Sequence, residues 1–201
     1  MRHDHRPVTR SRRRHLFAAL LCLAAFSAGC AGGLNDGPWR EFTAWTVSTS
    51  LGKAIAESTW LFPVVEGFHL AGLALLGGTI ILVDFRLLGL GIDTEPLPKL
   101  SRSAEPWMLT GLCASVVSGL LLFCSEATKF YSPGFWDSAE APFIYKMLFL
   151  IMSVAFTFTM RRRFLNRSDE NKPTVRSRLV GLASLLMWLG VGIGGRAIGF
   201  Y

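Results

Sequence analysis

The sequence predicts an all-α fold, a four-helix transmembrane bundle preceded by a signal segment and an interfacial helix. Three observations carry that expectation. Of 201 residues, 51% are hydrophobic and 17% are charged. The apolar residues gather in four runs of 19 to 23 residues, at 61–83, 107–125, 142–160 and 179–200. Most of the basic residues lie between those runs. At about 1.5 Å per residue, about 20 residues of helix cross a hydrocarbon core about 30 Å thick. Lipid offers no partner to a backbone N–H or C=O, so continuous apolar runs of this length pair their own backbone as helices rather than as barrel strands. The apolar fraction excludes a disordered chain, and four cysteines in this length exclude a disulfide scaffold.

In chain order, residues 1–30 read as an export signal or N-terminal anchor: Arg10 to His15, an apolar run over 16–26, then Ser27-Ala28-Gly29-Cys30. Arg13-Arg14 followed by Leu16-Phe17 resembles a twin-arginine start, and Ala28-Gly29-Cys30 resembles a lipidation site at Cys30, with Ser27 where leucine is usual. An uncleaved anchor, or a start codon placed too early, would give the same composition. Residues 31–58 form an outer amphipathic segment. Asp36-Gly37-Pro38 is a helix start, and Trp39, Phe42 and Trp45 repeat at threes, the spacing of an apolar face lying on a membrane surface. Residues 59–201 then make the four-span domain.

Charge gives the orientation. The net charge of +7 is concentrated at the start, where residues 1–15 hold six arginines against Asp4; 15 basic and 13 acidic residues remain, too even a balance for a nucleic-acid surface. Ten Lys or Arg flank two of the inter-span loops (Arg86, Lys99 and Arg102; Arg161 to Arg163, Arg167, Lys172, Arg176 and Arg178) against Arg40, Lys53 and Lys129 on the other side. Positive loops stay cytoplasmic, which puts both mature termini outside, as a cleaved export signal would leave them. The outer loop from Phe130 to Trp136 combines a Pro-Gly turn with interface aromatics.

No catalytic constellation and no metal-ligand spacing appears. Gly190-Val191-Gly192-Ile193-Gly194-Gly195 has dinucleotide-motif spacing but lies inside an apolar span with no strand before it. Small residues at 111, 115 and 119, at 190 and 194, and at 195 and 199 suit close helix packing. Cys113 and Cys124 sit eleven positions apart on one helix, about 16 Å, and cannot bridge.

The chemistry lies with the few ionisable residues inside the spans. Counted from the outer ends, Glu66 lies about 9 Å deep, Lys146 about 8 Å and Arg196 about 6 Å; His69 lies one turn below Glu66, and Glu126 ends the second span. These five residues form one expected polar cluster. Matching depths predict a Glu66–Arg196 pair. His69 and Glu66 are the candidate cofactor-binding residues. His69 is the one histidine after the signal, so haem b would need a second ligand. Met152, at about 16 Å against about 13 Å for His69, is the nearest thioether in depth, and a second copy of the chain is the other source. Asp84, near a helix C-terminus where the dipole disfavours it, is expected to pair with the basic inner residues.

Pro63-Val64-Val65-Glu66-Gly67-Phe68-His69-Leu70-Ala71-Gly72, Val83-Asp84-Phe85-Arg86-Leu87-Leu88-Gly89, Ser118-Gly119-Leu120-Leu121-Leu122-Phe123 and Gly195-Arg196 together resemble an uncharacterised family of small bacterial four-helix integral membrane proteins, over about residues 50–201. The likeness is looser to copper-resistance protein D and to b-type cytochrome membrane bundles. What the resemblance implies is a compact four-helix inner-membrane domain without an assigned activity. The cytochrome bundles hold haem through paired histidines, and some relatives carry a histidine near the inner end of the third helix, where residues 156–163 here have none. Three roles follow: a non-enzymatic membrane or accessory component, a redox component with haem or quinone near Glu66 and His69, or a small transporter. Its partners are the lipid bilayer and a second copy or a membrane partner protein, not nucleic acid.

Overall fold

The computed structural model describes residues 38–90, 95–130, 139–163 and 174–201. The expected export signal with Cys30, and the expected outer loop from Tyr131 to Trp136, lie outside the described residues. Those residues form α1 (Pro38–Ser48), α2 (Ser50–Glu57), α3 (Leu61–Leu88), α4 (Leu97–Glu126, continued by a 3₁₀ turn over Ala127–Phe130), α5 (Glu140–Phe156, continued by a π turn over Thr157–Arg161) and α6 (Val175–Ile198). No strand occurs among them. Four of the helices, α3 to α6 with their continuations, are long and apolar enough to cross a membrane, and the chain is an all-α bundle as expected.

The helices outrun the apolar stretches. α3 continues to Leu88 and stops at Gly89, whose φ of 83° is the left-handed cap that lets Leu90 donate its N–H to the Phe85 carbonyl at 2.8 Å. α4 begins ten residues before its apolar run and carries Pro106 inside it. Its polar first turns therefore project as helix from the end of the bundle that holds the arginine-rich loops. The outer segment is two helices rather than one. Thr49 turns its side chain to accept from the Gly52 N–H at 3.1 Å, capping α2 and breaking α1 from it. α2 then lies against the end of α4 at Gly52, where a Cβ would stand 2.8 Å from the Cys124 carbonyl oxygen.

Small residues set the seams. α3 and α4 pack most extensively: a Cβ at Gly111 would come 2.6 Å from the Leu76 nitrogen, and one at Gly72 would come 2.9 Å from the Ser115 nitrogen. α6 touches α3 along its first half, through Gly181 beside the Asp84 carbonyl and through Ser177, whose hydroxyl donates to the Leu87 carbonyl at 3.0 Å. Along its second half α6 touches α5 instead, with Gly190 against the Phe149 ring and Gly194 against the Lys146 backbone. The 111, 115 and 190, 194 spacings are thus spent inside the bundle. Laid side by side the order is α4, α3, α6, α5. The helices α4 and α5 lack a backbone seam of their own. They meet at one end through Phe123, which stacks on Phe130 and Phe143 at 5.3 and 5.5 Å between ring centroids, and through the tilted Phe130–Phe143 pair at 4.7 Å. At the other end Arg162 reaches Glu105 at 3.3 Å.

Candidate functional site

Two polar layers lie inside the bundle, separated by an apolar one of Leu76, Ile80 and Met108 with Phe158 and Trp188 packed against it. The first, near the end of the bundle holding α1 and α2, is built on His69. Its Nδ1 is 3.0 Å from the Ser118 hydroxyl of α4, and Gly119 leaves room for the ring, since a Cβ there would stand 3.1 Å from Cε1. Lys146 of α5 lies close enough to the imidazole to interact with it electrostatically. The layer thus holds a half-buried imidazole bound to a hydroxyl, with the Lys146 ammonium lying toward Gly195 of α6.

Of the five residues expected to cluster, the fold brings His69 and Lys146 together and sends the other three elsewhere. Glu66 is on the exposed face of α3. Glu126 pairs with Lys129 three residues on. Arg196 lays its guanidinium over the Phe200 ring, 4.6 Å from the centroid. The expected Glu66–Arg196 pair does not form, because α6 packs on α5 at this end of the molecule, not on α3. Met152 is 46% exposed, on the outward face of α5. Cys113 and Cys124 are both free, and no group of three His, Cys, Asp or Glu side chains is placed to share a metal among the described residues.

The second layer is the more deeply buried. Asp84 is 0% exposed and Arg161 3%, with Nε 3.0 Å from Oδ1. The N–H is not aimed along that line, so the contact is an ion pair rather than a hydrogen bond. The Ser184 hydroxyl, 1% exposed, stands beside the carboxylate. Asp84 does pair with a basic residue, as its position near the helix end predicts. What the sequence reading lacks is that this residue belongs to the helix and lies inside the bundle. The π turn explains it. A four-residue step overshoots a full α-helical turn by about 40°, and the wider π turn takes that overshoot back. Ser153, Thr157 and Arg161, all buried, then face the same way. Thr157 is held in turn by the Trp188 indole N–H, which donates to its hydroxyl at 3.3 Å.

Beside this pair a cleft of about 40 Å³ opens between α3, α4 and the π turn. Its polar lining is Thr79, Ser101, Glu105, Thr157, Arg161 and Arg162. No curated protein and no solved structure matches the chain. A family does match, from within α1 to the last residue. Over residues 42–201 the chain belongs to a family of unknown function, DUF6644.

Proposed function

We propose that the chain is a non-enzymatic component of the bacterial cytoplasmic membrane, with its mature termini outside, that acts through packing with a partner rather than through chemistry of its own. The observation that supports this reading is how its interior polar groups are used. Asp84 holds Arg161, Ser118 holds His69, Thr157 holds Trp188 and Ser177 holds a backbone carbonyl, each across two helices. These contacts join helices and do not converge on one point where a substrate would react. The faces left for a second copy or a membrane partner carry Gly67, Gly77, Gly78 and Gly192, which have nothing within 4 Å of a built Cβ. The orientation rests on the ten-to-three distribution of loop charge. Reporters fused after Gly134 are expected to read outside, and those after Ser168 inside. The opposite labels would invert the orientation.

The redox reading is favoured by one feature, an imidazole fixed by Ser118 with a cation beside it, which suits a quinone oxygen or an axial ligand. Haem of the b type takes two protein ligands. With Met152 turned outward, the second one comes from His69 of another copy. The isolated monomer is therefore expected to show no Soret band. A monomeric preparation that shows one, and loses it in His69→Ala, would place the redox reading first.

A further inference from the structure

The cleft beside Arg161 has the chemistry of an oxyanion seat. A guanidinium carries five N–H donors, and the one contact that Arg161 makes among the described residues is from Nε to Asp84. The residue is 3% exposed and lines the cleft, and no described residue accepts from its remaining donors. A second cation is close by: Arg162 is held across the mouth by Glu105 at 3.3 Å, with side chains 48% and 31% exposed. An exposed pair of this kind is worth about 0–1 kcal/mol, so an incoming anion can displace Glu105 at small cost. The Ser101 and Thr79 hydroxyls complete the polar wall, with Val83, Met108 and Phe158 opposite.

Size and donor set select the ligand. At about 10–15 Å³ per water-sized position, 40 Å³ holds about three such groups, room for the two unesterified oxygens of a phosphodiester or three oxygens of free phosphate with the rest of the group at the mouth. Two arginines and two hydroxyls outnumber what a single carboxylate can accept, and guanidinium donors match phosphate geometry. The mouth lies where α4 and α5 lack a seam, at the end of the bundle carrying Arg163, Arg176 and Arg178. We infer that this cleft binds a phosphate group, with Arg161 and Arg162 as its ligands and Glu105 as the internal anion it replaces. The phosphate is either a phospholipid headgroup reached sideways from the bilayer or a free ion.

The test uses the full-length protein in dodecyl maltoside. Thermal unfolding is followed with inorganic phosphate against chloride at matched ionic strength, and native mass spectrometry measures retention of dioleoylphosphatidylglycerol against dioleoylphosphatidylcholine. Since Arg161 also holds Asp84, the variants are the exposed Arg162→Gln and Glu105→Gln. Loss of a charge-assisted hydrogen bond is expected to weaken binding about tenfold in Arg162→Gln, and removal of the competing carboxylate to strengthen it in Glu105→Gln. Selective retention of the glycerol lipid without a phosphate effect assigns the seat to lipid; stabilisation by inorganic phosphate assigns it to the free ion. If neither probe binds, or if either variant binds as the wild type does, the seat is not a phosphate site. The proposed membrane role and orientation stand or fall separately, on the reporter fusions.

Discussion

Asp84→Ala is expected to destabilise the protein by about 3–5 kcal/mol, because it strands Arg161 as a buried charge without a counter-ion. The carboxylate is 0% exposed and the guanidinium 3%, so water can replace the lost partner only through the narrow cleft. Arg161→Met should cost a similar amount by stranding the carboxylate. The double variant Asp84→Ala/Arg161→Met should cost much less than the two single changes together, since an apolar replacement removes both desolvation penalties at once. Reversible unfolding of the purified protein, run as a double-mutant cycle, measures this. Additive effects would show that the two groups are near one another without energetic coupling.

The second large effect is expected at Gly111. A Cβ there would stand 2.6 Å from the Leu76 nitrogen and 2.9 Å from the Gly72 carbonyl oxygen, both backbone atoms of the facing helix. Backbone cannot rotate aside as a side-chain tip can, so Gly111→Ala must push α3 and α4 apart. Overpacking of this kind costs about 1–3 kcal/mol, and Gly111→Leu should exceed it. The effect would spread, because Ser115 and Ser118, one and two turns along α4, bring Gly72 and His69 against the same seam. Gly78→Ala is the control: nothing lies within 4 Å of its Cβ, and a helical Gly→Ala change without strain stabilises by about 0.4–1 kcal/mol. Equal melting temperatures for the Gly111→Ala and Gly78→Ala variants would contradict the seam.

The spans were legible because a bilayer imposes length and apolarity on the chain itself, and both can be counted. Their ends were less so. The polar first turns of α4, around Lys99, Arg102 and Glu105, read as loop because charge ends the apolar run there, whereas a helix continues beyond the hydrocarbon once its caps and side chains suit water. The candidate site was half legible for a related reason. Depth along each helix follows from counting, so His69 and Lys146 could be assigned to the same end of the bundle, about a turn apart. Rotation about each axis, and the choice of neighbour, do not follow from depth. Glu66 and Arg196 share a depth yet sit on helices that part company at that end, with α6 leaning on α5. Asp84 announced its need for a cation by its place near the end of α3. Which of the nearby arginines answers it depends on a π turn, a local departure from helical period that the run Thr157-Phe158-Thr159-Met160-Arg161 does not signal.

Considered as phase, that π turn is one surplus residue in an otherwise regular helix, and three arginines follow one another where it ends. Deleting Thr159 leaves two ways to rebuild it: the turn can close to ordinary α geometry, which spends the surplus residue and keeps the later side chains in phase, or it can stay wide and draw each of them back by one position. In the first case Arg161 stays opposite Asp84; in the second Arg162 arrives there, and Arg163 at the mouth opposite Glu105. The triplet therefore works as a spare set: a one-residue loss in this stretch keeps the same arginine or exchanges it for the next, and either way leaves the buried carboxylate with a cation. Chains that lose or gain a residue here can keep both the internal pair and the basic rim, so the length of this turn is free to drift where its charge is not.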